Sequence, residues 1–157
     1  MTDYENGSYE YVGEGSESRV WTDGNYVYKV YRSSRYEDFQ NKLKSLKLKL
    51  EMLNSLPEFE KEEIIEIGDN VVVTKQKKLH DWQYMLARDY FTKNKRLIDW
   101  TIEYKRFLKG HGYLKEGAHY FKNGICVRDV VLENAGLDDE GNFKILDAKV
   151  LCGDFYM

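Results

Sequence analysis

A chain of 157 residues is long enough for one domain with a real core, or for two small lobes, and its net charge of −3 at pH 7 gives no support to a nucleic-acid partner held by phosphate neutralisation. Two cysteines, Cys126 and Cys152, have neither metal-ligand spacing nor the density of a disulfide scaffold, which leads to the expectation of a reducing, cytoplasmic setting. No apolar stretch approaches membrane-spanning length and Met1-Thr2-Asp3-Tyr4-Glu5 carries no basic region, so neither a membrane partner nor a cleaved leader is expected.

Residues 1–8 are polar and are expected to be disordered. Tyr9-Glu10-Tyr11-Val12 then alternates as a strand and runs into Gly13-Glu14-Gly15-Ser16-Glu17-Ser18-Arg19-Val20-Trp21, where closely spaced glycines suit a hairpin turn. Asp23-Gly24 is a second turn dipeptide. It precedes Tyr26-Val27-Tyr28-Lys29-Val30-Tyr31, a β-rich strand with one lysine in its middle. Lys29 shares a strand face with Val27 and Tyr31. If that face is buried the ammonium needs a partner; if it is open, Lys29 is an ordinary edge-strand lysine.

Arg35 to Ser55 is predicted as a long helix, because Phe39, Leu43, Leu46, Leu50 and Leu53 recur at four-three spacing and make one apolar stripe. Lys42, Lys44, Lys47 and Lys49 fall on other faces and are expected in solvent. Glu37 and Asp38 suit the helix start. Glu51, the acidic residue of the helix interior, lies off the stripe. Two strands follow, Glu63-Ile64-Ile65-Glu66-Ile67 and Val71-Val72-Val73-Thr74, across the turn Gly68-Asp69-Asn70. With the earlier ones they predict a five-stranded antiparallel sheet backed by one helix.

Beyond Lys77 a short helix is predicted from Asp81 through Trp82, Met85, Leu86 and Asp89, and a second from Leu97, Trp100, Thr101, Tyr104, Phe107 and Leu108, ending at Gly110. His111 and His119 bracket a loop and lack partners at metal-ligand spacing, so a surface or capping role is expected of both. The apolar stretch Ile125-Cys126-Val127 leads to Arg128-Asp129, and Asn134 comes five positions after that Asp. Ala135-Gly136-Leu137 and Phe143-Lys144-Ile145-Leu146 flank the turn cluster Asp138-Asp139-Glu140-Gly141-Asn142 and predict a hairpin that returns Asp147 beside Asn134. Two oxygen donors and a separate carboxylate in one place suit Mg²⁺ and phosphate oxygens; an acidic surface loop is the alternative.

This segment resembles the catalytic region of the protein-kinase-like superfamily, H-R-D-L-x-x-x-N followed by D-F-G, with Val127-Arg128-Asp129, Asn134 and Asp147-Ala148-Lys149 at the motif positions. The Asp and Asn positions match, while the His, Phe and Gly do not. Gly13, Gly15, Ser18 and Val20 align with the glycine-rich pattern G-x-G-x-x-G-x-V, and Lys29 with the lysine of V-A-I-K. The whole looks similar to the minimal kinases in polyvalent proteins of phages and mobile elements, and more distantly to aminoglycoside-type phosphotransferases. The resemblance implies an α+β, protein-kinase-like fold: an N-lobe over 9–77 with a five-stranded sheet and one helix, and a reduced helical C-lobe over 78–157.

It also implies an ATP- or GTP-dependent phosphotransferase acting on a hydroxyl of a protein or small molecule, with ATP and Mg²⁺ bound. Gly13, Gly15, Ser18 and Val20 would cover the phosphates, Lys29 would draw on the α/β-phosphates, and Glu51 would pair with Lys29. Thr74 and Gln76 fall where adenine is held through backbone groups. Asn134 and Asp147 would hold the metal, and Asp129 would accept the hydroxyl proton. Val131 stands where a lysine is usual, which implies slow turnover. The other class of function is an inactive nucleotide-binding or interaction module, whose missing helices leave an apolar patch for a partner protein or a second copy of this chain.

Overall fold

The computed structural model describes residues 3–5, 7–14, 18–80, 100–128 and 134–157. Two compact units result, one of Met1–Ser55 with Glu60–Lys78 and one of Leu56–Phe59 with Leu79–Met157.

In the first unit, β1 (Glu10–Glu14), β2 (Ser18–Thr22), β3 (Tyr26–Arg32), β4 (Glu62–Ile67) and β5 (Val71–Lys77) form an antiparallel sheet in the order β1-β2-β3-β5-β4. Side chains close the β2–β3 turn. Asp23 Oδ1 accepts the N–H groups of Asn25 and Tyr26, each at 2.8 Å, and Thr22 Oγ1 donates to the Tyr26 carbonyl at 2.7 Å. Gly24, at φ +100°, supplies the left-handed residue of the turn. Asp23 Oδ2 also accepts the Tyr28 hydroxyl at 2.9 Å. Burial pushes the Asp23 carboxyl up, but the Tyr26 and Asn25 amides and the Tyr28 hydroxyl more than offset this and hold it below its usual value of 3.8.

Alternation along the strands gives the sheet two apolar faces. One gathers Trp21, Tyr28, Val30 and Val73, with Tyr4 and Tyr9 packed over them. Residues Asp3–Glu5, expected to be disordered, form a 3-10 turn there: the Tyr4 ring stacks on Tyr28 with centroids 4.8 Å apart, and Glu5 pairs with Arg32 at 2.6 Å. The other face, with Tyr31, Ile64 and Val72, takes the helix α1 (Tyr36–Asn54) through Phe39, Leu43 and Leu46. The predicted stripe is the buried one. Lys49, expected in solvent, is also buried.

The second unit holds α2 (Trp100–Gly110), β6 (Leu114–Glu116), β7 (His119–Lys122), β8 (Ile125–Val127), β9 (Ala135–Leu137), β10 (Phe143–Ile145), β11 (Lys149–Cys152) and β12 (Phe155–Tyr156). β9 and β10 pair as the predicted hairpin, and the other strands make a second antiparallel sheet, β12-β11-β8-β7-β6. Between β7 and β8, Asn123 (φ +45°) and Gly124 (φ +80°) form the two-residue turn that the Asn-Gly dipeptide favours. α2 buries Tyr104 and Leu108, and its Phe107 stacks on Phe143 with centroids 4.7 Å apart.

Leu56–Phe59 is built into this unit. The Ile145 N–H donates to the Glu58 carbonyl at 2.8 Å, and Lys122 Nζ meets Glu58 Oε2 at 2.8 Å. Glu58 is fully buried, so the ammonium is what makes its charge tolerable. His111 Nδ1 lies 3.9 Å from the same oxygen, with the ring partly exposed. Burial, then the Glu58 charge, raise the Tyr113 hydroxyl, and burial raises that of Tyr104.

The expected class, an α+β protein-kinase-like fold with a reduced helical C-lobe, is overturned by these elements. Among the described residues strand outweighs helix, in three antiparallel sheets with two α-helices. The five-stranded sheet with its one helix is found as predicted, and the described residues beyond Leu79 hold the predicted helix ending at Gly110 together with seven short strands. Gly117, Asn123-Gly124 and Gly153, all at positive φ, form the turns between the short strands β6 and β7, β7 and β8, and β11 and β12. The helix predicted from Asp81 to Asp89 lies outside the described residues. No helix among those described is long and apolar enough to cross a membrane.

Gly136 tests the packing of β9. A β-carbon there would lie 2.7 Å from Leu79 Cβ and 3.0 Å from the His80 carbonyl oxygen, so Gly136→Ala should destabilise by about 1–3 kcal/mol in a denaturant melt. Gly110→Ala, where a β-carbon meets nothing within 4 Å at a helix end, should be neutral or slightly stabilising. Asp23, depressed when folded, contributes stability that is present above 3.8 and is lost as pH falls below it. Asp23→Ala should therefore lower Tm at neutral pH, and its curve should merge with wild type in acid.

Candidate functional site

Strand register decides which side chains can act together in the first unit. Val20, Lys29, Thr74 and Ile64 are cross-strand neighbours on β2, β3, β5 and β4, and cross-strand neighbours share a face. In the adjacent row, Val27, Gln76 and Glu62 are aligned in the same way on that face. It is the face on which α1 packs, so Lys29 stands on a covered surface with its side chain 15% exposed.

The carboxylate it meets is that of Glu62, 5% exposed, with Oε1 at 3.2 Å from Lys29 Nζ. Thr74 donates its hydroxyl to the same oxygen at 2.7 Å, and the Tyr31 hydroxyl reaches it at 3.5 Å. Glu62 is itself clasped from α1: Asn54 Nδ2 donates to the Glu62 carbonyl at 2.7 Å, and Asn54 Oδ1 accepts the Glu62 N–H at 3.0 Å. Lysine, carboxylate, hydroxyl and amide thus form one polar chain within an otherwise apolar layer.

Several expected site residues are placed differently from their expected roles. Glu51 is exposed on α1, and the sheet carboxylate Glu62 stands at Lys29 in its place. The helix stripe explains this, since a residue off the stripe points away from the sheet. Thr74 and Gln76, expected to offer backbone groups to an adenine, lie in β5 between β3 and β4, so strand partners flank their main chain on both sides. Their side chains face inward instead: Gln76 Nε2 donates to the Glu60 carbonyl at 3.0 Å. Ser18 and Val20 are in β2, opposite Tyr31 and Lys29. Gly13 pairs with Val20 beside a register shift in β1, and a β-carbon there would meet nothing within 4 Å. Gly15 lies outside the described residues.

In the second unit the β9–β10 hairpin brings Asn134 and Asp147 to one end. Ala135 pairs with Ile145, and the Leu146 N–H donates to the Asn134 carbonyl at 2.7 Å. Asp138 closes the other end, its Oδ1 accepting the N–H groups of Glu140 and Asn142 at 3.0 and 2.8 Å. Asn134 is exposed and Asp147 half-buried, with Asp147 Oδ1 accepting the Ala148 N–H at 2.9 Å. Asp129 lies outside the described residues. Among those described, no three His, Cys, Asp or Glu side chains gather as a metal site. An Asn-Asp pair matches the needs of Mg²⁺, which takes one or two protein carboxylates and completes its shell with phosphate oxygens and water.

Sequence reasoning missed Glu62, Asn54 and the Glu58–Lys122 pair. Glu62 is one of several glutamates in Glu58-Phe59-Glu60-Lys61-Glu62-Glu63, and nothing local marks it out.

No family model matches the chain, and no curated protein matches it. Among solved structures, the co-crystal structure of WbdD and the kinase inhibitor LY294002 is similar with a TM-score of 0.42 and 15% identity, over 85% of this chain. This chain spans 31% of that one, and at this level of likeness the match is a point of comparison and carries no argument.

Thr74→Val preserves shape and removes the hydroxyl that Glu62 Oε1 accepts. It should destabilise by about 1–3 kcal/mol in a chemical melt, because the buried carboxylate loses a donor that water cannot replace. An unchanged midpoint would show that Glu62 does not depend on Thr74.

Proposed function

We propose that this chain is a nucleotide-dependent phosphotransferase that moves the γ-phosphate of ATP or GTP to a hydroxyl of a protein or a small molecule. The observation that supports it most is Lys29, a lysine on a covered sheet face with a buried carboxylate 3.2 Å away. A buried ion pair adds little to stability compared with apolar residues of the same volume, so stability alone does not account for it.

In this reading Lys29 draws on the α/β-phosphates, and Gly13, Gly15 and Ser18, all small, cover them. Asn134 and Asp147 hold Mg²⁺, which when bound neutralises charge on the β- and γ-phosphate oxygens. Asp129 orients the acceptor hydroxyl and takes its proton late, which requires no unusual pKa. Val131 adds no charge near the transferred group, so turnover is slow.

A second reading, a nucleotide-binding module without transfer, is favoured by the neighbours of the motif acids. Val127 is paired with Tyr120, Lys149 with Cys126, and Ala148 is buried, so sheet pairing fixes residues beside Asp129 and Asp147 that depart from the motif. In that case exposed Leu114 and Phe155 offer apolar surface to a partner protein or a second copy.

Melting with and without Mg-ATP and Mg-GTP, followed by phosphate-transfer assays, decides between them. Nucleotide at about a hundred times its Kd should stabilise the wild type by about 2.7 kcal/mol. Asp129→Ala should keep that stabilisation and lose turnover by about a hundredfold or more, whereas Asp147→Asn should weaken both. Stabilisation with turnover indifferent to Asp129 would favour the binding module. No stabilisation by either nucleotide would reject both readings.

A further inference from the structure

Asn54 is the last residue of α1, and both hydrogen-bonding atoms of its side chain are spent on the main chain of one residue, Glu62. That residue is the first of β4, and its own carboxylate ends at Lys29. We propose that Asn54 and Glu62 act in series as positioning residues: Asn54 sets where β4 begins, and Glu62 sets where the Lys29 ammonium points. The inference rests on the phosphate-binding role given above to Lys29, and it assigns the holding of that lysine to a sheet carboxylate fixed by an asparagine clasp.

The physical case has three parts. A lysine side chain has four rotatable bonds, and holding it in one orientation before a phosphate arrives removes most of the ordering that binding would otherwise require. Glu62 can do this only if its own place is fixed, and two hydrogen bonds to its main chain fix it more firmly than packing of a strand end would. Thr74 then occupies Oε1 from β5 at 2.7 Å, which keeps the carboxylate turned toward the β3 side where Lys29 stands. Three elements thus converge on one ammonium: the end of α1, the start of β4 and the middle of β5.

The test compares wild type, Glu62→Gln, Asn54→Ala, Lys29→Ala and Lys29→Ala/Glu62→Gln. Each is checked first for an intact melt. Glu62→Gln keeps an acceptor for Thr74 and loses the charge, so it should fold. Mg-ATP affinity is read by titration calorimetry, and the order of the Lys29 side chain in the free protein by ¹³C relaxation at Cε. Glu62→Gln should weaken Mg-ATP binding about tenfold and release Lys29 motion, and Asn54→Ala should do the same by a smaller factor. The double variant should bind no more weakly than Lys29→Ala alone, because Glu62 acts only through Lys29. Wild-type affinity in Glu62→Gln, or additive losses in the double variant, would overturn the proposal. If wild type itself ignores Mg-ATP, the phosphotransferase reading fails and this proposal fails with it; Mg-ATP binding by wild type with Lys29 motion unchanged in Glu62→Gln and Asn54→Ala overturns this proposal alone.

Discussion

A charge on a covered sheet face has to be answered from within the protein, and in the first unit that demand is met at Lys29. Its ammonium and the Glu62 carboxylate stand 3.2 Å apart, with Thr74 and Asn54 fixing the acid from two further elements. Desolvating the pair costs about as much as the attraction returns, so the arrangement fixes the ammonium in place more than it stabilises the sheet. The registers of β3, β4 and β5 and the end point of α1 all have to be correct for those four side chains to meet. Shifting any strand by one residue would turn its members to the opposite face.

The second unit repeats the same physics in a different setting. Glu58 is buried in a segment that joins α1 to β4 in sequence yet packs with the residues that follow Leu79, and Lys122 answers its charge at 2.8 Å. Around it, the architecture is a matter of turns. Asn123 and Gly124 at positive φ reverse the chain in two residues, which commits the flanking apolar stretches to strands. That local chemistry explains why β6, β7, β8, β11 and β12 form a sheet where the motif resemblance implies helices.

Much of this was legible. The four-three stripe from Phe39 to Leu53 marked α1, Asp23-Gly24 marked the β2–β3 turn, and the acidic cluster from Asp138 to Asn142 marked the hairpin that sets Asn134 beside Leu146 and Asp147. Asn123-Gly124 carries an equally legible turn signal. Glu51, the acid inside the helix, lies off the apolar stripe and so faces away from the sheet that carries Lys29.

What the sequence by itself determined is whatever a few neighbouring residues settle: helix and strand periods, turn chemistry, and the presence of one lysine in an apolar strand. These follow from short-range backbone sterics and from the repeat of apolar side chains, both of which are written in adjacent letters. Only the tertiary structure decided that Glu62, and not Glu58, Glu60 or Glu63, meets Lys29, and that Asn54 holds it. Those pairings depend on the registers of three strands at once, and register is set by which face is buried against α1, a property of the assembled sheet and not of any one segment.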